Sequence, residues 1–284
     1  MKDDVAITCP FCQGAGFAGV VTYTEPPECE VRFAVTEGQT YHRELIRCER
    51  CGHFLSIHGM DMGYLYAGGY VDANYGDDAL RANFDRIINL PVERSDNRGR
   101  VKRICDYLKR RLKDGGTGAT VLDVGSGLAV FPYAMKQEGW DCTALDPDRR
   151  AARHAEEVAG VKAVAGDFMA CGNLGRFDLV TFNKVLEHVS DPVAMLARSH
   201  GHLAPGGTVY VELPDGEMAV RESPYREEFT IDHPHVFSAA SMTLLAYRAG
   251  FAVQKMERLR EPSGKYSLYM FLRDPTQAGA FEKK

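Results

Sequence analysis

One tryptophan, no apolar run approaching the roughly 18 residues that a membrane-crossing helix needs, and no surplus of basic charge mark this 284-residue chain by what it has little of. The missing run excludes a helical membrane span. The opening MKDDVAITCPFC holds no apolar stretch long enough for a signal peptide, so the cytoplasm, where thiols stay reduced, is the expected location. A net charge of −5 and a pI near 6.0 argue against nucleic acid as the main partner. A basic stretch at 94–113 carries nine Lys/Arg against Asp96 and Asp106. Its apolar Val101, Ile104, Cys105, Leu108 and Leu112 fall at helical spacing, so the charges read as a solvated face, with an anion contact as the alternative.

What is present is an ordinary globular balance, 45% hydrophobic and 26% charged, in a length that suits one large domain or two unequal ones. Four of the eight cysteines pair by spacing, Cys9-x-x-Cys12 and Cys48-x-x-Cys51, each turn followed by a glycine (Gly14, Gly52). Two such turns present four thiolates to one ion, the donor set of a closed, structural zinc site. GVVTYTE and VRFAVTE between them are candidate hairpin strands. His53, His58 and Cys29 are spare ligands, and Cys105, Cys142 and Cys171 read as small core residues. Residues 1–60 hold five basic side chains against eight acidic ones, the wrong sign for a phosphate-binding finger.

The expected organisation is a zinc module over 1–62, a linker with helices over 63–117, and a third part over 118–284. The Tyr- and Gly-rich GYLYAGGYVDANYGDD (63–78) reads as a linker or an aromatic lid. Residues 80–113 read as two helices broken at Pro91, with Ser95 or Asp96 capping the second. From Thr120 strands alternate with helices: TVLDV, DCTALD, VKAVAGD, FDLVTFN, GTVYVELP, FAVQKMERL and KYSLYMFLR are the strands. That alternation predicts an α/β fold, a seven-strand parallel sheet covered on both faces, with the last strand inserting antiparallel. Ligands of such sheets bind beyond the carboxyl ends of the strands.

At those ends stand the chemistry-bearing residues. Asp123 lies in the first strand, and Gly125-Ser126-Gly127 turns into a helix whose N-terminus favours negative charge. Asp146 ends the second strand, where a carboxylate can take a ribose diol; Asp167 and Phe168 end the third, where they can meet an adenine. A dinucleotide-binding dehydrogenase would want Gly-x-Gly-x-x-Gly, but Val130 holds the third glycine's place.

Through VLDVGSG, ALDPD, GDF, FDLVTFNKVLEHVSDP and LAPGGTVYVELPD, residues 118–273 resemble the class I S-adenosylmethionine-dependent methyltransferases. The resemblance implies a Rossmann-like fold and the cofactor S-adenosylmethionine. Asp123, Gly125, Ser126 and Gly127 would then line its methionine part, Asp146 its ribose, and Asp167 and Phe168 its adenine, with Asn183 beside the sulfur. The pattern often has a further glycine where Ala129 stands.

Base candidates lie after the fourth and fifth strands: Glu187 and His188, which can equally shape the turn, and His233 and His235 in the 214–237 insertion. The whole chain resembles, more narrowly, sugar methyltransferases with an N-terminal zinc-binding domain, several acting on nucleotide-linked deoxysugars. Their acidic-His motif before Phe-Ser corresponds to Asp232-His233 and Phe237-Ser238, which implies His233 as general base. Members that methylate carbon tend to carry a tyrosine where Thr230 stands and a long C-terminal extension, so the resemblance implies methylation of a sugar hydroxyl. Methylation of another small metabolite, such as a natural-product scaffold or quinone-like ring, is the second reading; RNA modification and a non-catalytic scaffold are remoter ones.

Overall fold

The computed structural model describes residues 7–30, 40–60, 76–112 and 116–277. The candidate strand VRFAVTE and most of the Tyr-rich segment lie outside the described residues. In the N-terminal part, β1 (Phe17–Tyr23) pairs antiparallel with β2 (Arg43–Cys48), which pairs antiparallel with β3 (Phe54–His58). Helices α1 (Gly76–Ile88) and α2 (Asp96–Leu108) follow, separated at Pro91. Ser95 caps α2, its side chain accepting from the Arg98 N–H at 3.2 Å. Val101, Ile104, Cys105 and Leu108 of α2 are buried, but the expected solvated basic face does not hold throughout: the Arg100 and Arg103 side chains are only 11% and 19% exposed and turn inward to Glu212, whose buried carboxylate needs cations.

The remainder alternates as expected: β4 (Thr120–Val124), α3 (Val130–Gln137), β5 (Asp141–Asp146), α4 (Arg149–Glu157), β6 (Lys162–Ala165) and β7 (Phe177–Asn183). Then come α5 (Pro192–Arg198), β8 (Leu203–Pro214), α6 (Gly216–Glu222), β9 (His235–Val236), α7 (Ala239–Arg248), β10 (Ala252–Arg260) and β11 (Tyr266–Arg273). The large sheet runs β10-β11-β8-β7-β4-β5-β6. β4 to β8 are mutually parallel, and β11 inserts antiparallel between β8 and β10.

Alternation along each strand splits the core into two layers. Leu122, Val180, Val209 and Met270 face α5 and α7, in one cluster with Cys9, Phe11, Cys48 and Cys51. Val121, Leu179, Tyr210 and Phe271 face α2, α3 and α4. The cysteine turns therefore share a core with the large sheet.

The small sheet has a fourth strand that the sequence did not reveal. β9 pairs antiparallel with β3, Phe54 opposite Val236 and Leu55 opposite His235. The 118–284 stretch thus supplies the outer strand of the N-terminal sheet, across the expected boundary at 62.

Candidate active site

Among the described residues, Cys9, Cys12, Cys48 and Cys51 bring their sulfurs within 4.8 Å of one another. The Cys9–Cys51 and Cys12–Cys48 separations are 3.5 and 3.4 Å, and all four are free thiols. A tetrahedron of zinc–sulfur bonds of about 2.3 Å has edges of about 3.8 Å, so the set fits such an ion with small adjustment. Burial opposes a charge on Cys12, yet the Gly14 N–H at 3.4 Å and the neighbouring sulfurs bring its thiol down to about 7.

The strand ends of the large sheet place the second group. Asp123 is buried, and burial pushes its carboxyl up to about 6 against hydrogen bonds from Thr181 (2.6 Å), Ser126 (2.9 Å) and Asn183 (2.8 Å). Gly125 and Gly127 both have positive φ, 68° and 51°, and a Cβ at Gly125 would lie 2.7 Å from Val185. Ala129, where the family pattern often has glycine, also adopts φ 55°, so the left-handed turn survives the substitution. The Gly127 N–H donates to Asp146 Oδ2 at 2.8 Å, and the Asp148 N–H to Oδ1 at 2.9 Å. Asn183 keeps a buried Oδ1 without a partner among the described residues, an acceptor suited to an ammonium group in the crevice. These donors, glycine turns and the orphaned acceptor fit an adenosyl amino acid laid across three strand ends.

Phe168 departs from expectation. Its ring is only 3% exposed, packed edge-on to Phe182 and against His202, so it offers no face for stacking. An aromatic ring beside the apolar end of β7 gains more from burial than from exposure. The neighbouring Met169 is 41% exposed, and its N–H donates to Asp167 Oδ1.

The third group gathers Glu187, His188, Asp232 and His233. One atom each from Glu187, His188 and His233 lies within 4.8 Å of the others, and the two imidazoles meet edge-to-face at 4.7 Å. His188 Nδ1 lies 2.8 Å from the Asp232 carbonyl, and His233 Nδ1 2.9 Å from the Glu228 carbonyl. A carbonyl only accepts, so both Nδ1 atoms carry a proton, and in the neutral form of each ring the lone pair is then on Nε2. Asp232 Oδ2 sits 3.5 Å from His188 and 3.9 Å from His233. Burial opposes the Asp232 charge, but the two imidazoles hold its carboxyl below the usual range. Glu187 is fully buried with neither carboxylate oxygen hydrogen-bonded among the described residues, and burial raises its pKa.

His235 does not join this group. It is buried in β9, its Nδ1 3.2 Å from His53 Nε2, with its ring against Phe11 and Phe237. Burial lowers its pKa to about 4. Alternation within β9 sends Val236 into the cluster of Tyr23 and Leu45 and leaves His235 on the side of Phe11 and His53.

Sequence reading missed one charged cluster. Glu212, opposite Asn183 in β8, is fully buried and accepts from Arg100 at 2.5 and 3.0 Å, Arg103 at 2.9 Å and the Tyr210 hydroxyl at 2.6 Å. Burial opposes its charge, but Arg100, Lys184 and Arg103 hold the carboxyl well below the usual range. A lone Glu inside the apolar run VYVELP was the available signal.

The family model described as "Methyltransferase domain" matches residues 96–256, more than half of the chain. A ubiquinone biosynthesis O-methyltransferase from Psychrobacter arcticus is 35% identical over 172 residues, 53% of this chain and 67% of that protein. One of the same name from Pseudomonas paraeruginosa is 36% identical over 104 residues, 34% of this chain; the match spans 45%, about half, of that relative's length. Among solved structures, a Burkholderia thailandensis 1,6-didemethyltoxoflavin-N1-methyltransferase shares the fold at a TM-score of 0.53 and 18% identity, covering 86% of this chain and 99% of that one. Magnesium protoporphyrin IX methyltransferase from Synechocystis does so at 0.52 and 16%, covering 74% of this chain and 96% of that one. The chain belongs to the methyltransferase-domain family, and its large sheet shares the fold of solved methyltransferases.

Proposed function

We propose that this protein transfers a methyl group from S-adenosylmethionine to a hydroxyl oxygen of a small polar molecule, a sugar in the leading reading, with His233 as general base. Asp123, Gly125, Ser126, Gly127 and Asn183 hold the methionine part, Asp146 the ribose and Asp167 the adenine. The cofactor supplies an electrophilic methyl carbon on a sulfonium. The protein's task is then to place an oxygen lone pair in line with that carbon and to take the hydroxyl proton. The observation that carries the reading is the His233 contact: Nδ1 lies 2.9 Å from the Glu228 carbonyl, so in the neutral ring Nε2 is the proton acceptor. Asp232 lies 3.9 Å from Nε2 and favours the imidazolium once the proton arrives. His188 flanks the same carboxylate.

Cys9, Cys12, Cys48 and Cys51 hold a structural zinc ion; four thiolates complete its coordination, so it takes no part in the transfer. The sugar reading rests on the resemblance of the whole chain, including the cysteine turns and the Asp232-His233 motif. The names of the relatives, matched over about a third to a half of the chain, favour the second reading, the hydroxyl of a quinone-like ring.

Transfer of label from methyl-labelled S-adenosylmethionine decides between them. Nucleotide-linked deoxysugars and ring diols are offered in parallel, and the product is located by mass spectrometry. Turnover of a deoxysugar at oxygen supports the leading reading. Turnover of the ring diol alone replaces it with the second, and methylation at nitrogen or carbon removes the hydroxyl assignment.

A further inference from the structure

The loop carrying Asp232 and His233 is held from two sides: Glu228 accepts from Arg226 and from the Tyr266 N–H and the Asp232 carbonyl meets His188, while the N-terminal module grips it at a distance from the cysteines. Arg43 opens β2 and Cys48 closes it, so one strand joins the thiol cluster to the loop. The Arg43 guanidinium is fully buried. Its Nη1 donates to the Phe229 carbonyl at 2.6 Å, its Nη2 to Glu30 Oε2 at 3.1 Å, and its Nε to the Tyr41 hydroxyl at 2.9 Å. Glu30, also buried, accepts the Ile231 N–H at 2.8 Å and the Tyr41 hydroxyl at 2.7 Å. Tyr23 lies beneath the guanidinium at 3.9 Å and donates to the Pro224 carbonyl at 2.5 Å.

These contacts grip the backbone on both sides of Thr230. The His233 N–H in turn donates to the Thr230 carbonyl at 3.0 Å, and the His233 ring donates to Glu228, next to the gripped Phe229. Downstream, the Ser56 N–H donates to the Pro234 carbonyl and β3 pairs with β9. Phe229 and Ile231 belong to no strand that could satisfy these peptide groups; the buried ion pair does so instead.

A buried ion pair is a weak source of stability, because desolvation offsets much of its attraction, and its characteristic gain is geometric specificity. We infer that Glu30 and Arg43 are positioning residues for the methyl transfer, setting the loop so that the Glu228 carbonyl holds His233 in its Nδ1–H tautomer facing the acceptor. This rests on the proposed role of His233.

The test uses the full chain with zinc bound and the variants Arg43→Met, Arg43→Lys and Glu30→Gln, plus the double variant Glu30→Met/Arg43→Met, which leaves no unpaired charge if the single variants fold poorly. The readouts are S-adenosylmethionine affinity, kcat and acceptor KM, and ¹⁵N chemical shifts of the His233 ring, which report its tautomer without any turnover. Expected are cofactor affinity within twofold of the parent, kcat lower by about ten- to hundredfold, as for a misplacement of about 1 Å, and a mixed His233 tautomer. Arg43→Lys should recover part of both, since an ammonium can reach the Phe229 carbonyl but lacks the fork. A folded variant with parental kcat and a pure Nδ1–H tautomer overturns the inference, as does lower thermal stability with both unchanged. A mixed tautomer with unchanged kcat sinks the role of His233 as base and leaves the positioning of its ring standing.

Discussion

His233 holds its Nδ1 2.9 Å from the Glu228 carbonyl oxygen, whereas His235, two residues on, turns its Nδ1 to His53 at 3.2 Å. One imidazole lies beside the strand ends of the large sheet and the other is packed among aromatic rings. His233→Ala should therefore bind S-adenosylmethionine normally and lose about 10²- to 10⁴-fold in turnover, the range for a general base. His235→Ala should lower the melting temperature and keep a substantial part of kcat. Isothermal titration alongside steady-state kinetics separates the two, and the reverse pattern would move the base to His235.

Asp146 receives two backbone N–H bonds and ends β5 at the crevice. Asp146→Ala should weaken S-adenosylmethionine binding by roughly 1.5–3 kcal/mol, tenfold or more in Kd, through lost charged hydrogen bonds. Acceptor KM at saturating cofactor should change little. Equal affinity in the variant would remove Asp146 from the ribose site.

Asp123 gives a pH-dependent prediction. Its carboxyl is raised from 3.8 to about 6 by burial. Its contribution to folding stability is thus fully present below about pH 4 and lost as pH rises through about 6. Asp123→Asn removes that loss. The stability of the variant relative to the parent should climb by about 2–3 kcal/mol between pH 4 and pH 7, from a shift of about two units at 1.36 kcal/mol each. Urea titrations of both proteins at the two pH values measure it; a flat difference contradicts the assignment.

Elemental analysis should find one zinc per chain, and a strong chelator should release it with loss of strand signal from β1 to β3. Because the cysteine turns share a core with α7, the melting temperature of the whole chain should fall. Cys12→Ser should behave as the chelated protein does, while cofactor affinity survives. Full retention of stability without metal contradicts a structural ion.

Arg100→Met leaves Glu212 buried with one cation fewer, which should cost about 3 kcal/mol or more in urea unfolding. Pairing it with Glu212→Met should recover much of that loss, because no unpaired charge then remains.

Local signals were legible because their causes are local. The two Cys-x-x-Cys turns, the cap at Ser95 or Asp96, the Pro91 break and the Gly125-x-Gly127 turn each follow from neighbours a few residues apart. The seven strands of the large sheet followed from apolar runs bounded by turns. Asp123, Asp146 and Asp167 were placed by their position at strand ends, which connectivity alone dictates in such a sheet.

By itself the sequence determined the α/β alternation, the four-thiol donor set and the carboxylates at the strand ends, since periodicity, spacing and turn chemistry act over a few residues. The tertiary structure decided that His233 lies beside His188 and Asp232 while His235 packs against His53, that the Phe168 ring turns inward, that β9 completes the N-terminal sheet, and that Arg43 reaches Phe229 across 186 positions. Those outcomes depend on groups far apart in the chain competing for buried space and hydrogen-bond partners, a contest that leaves no period in the sequence.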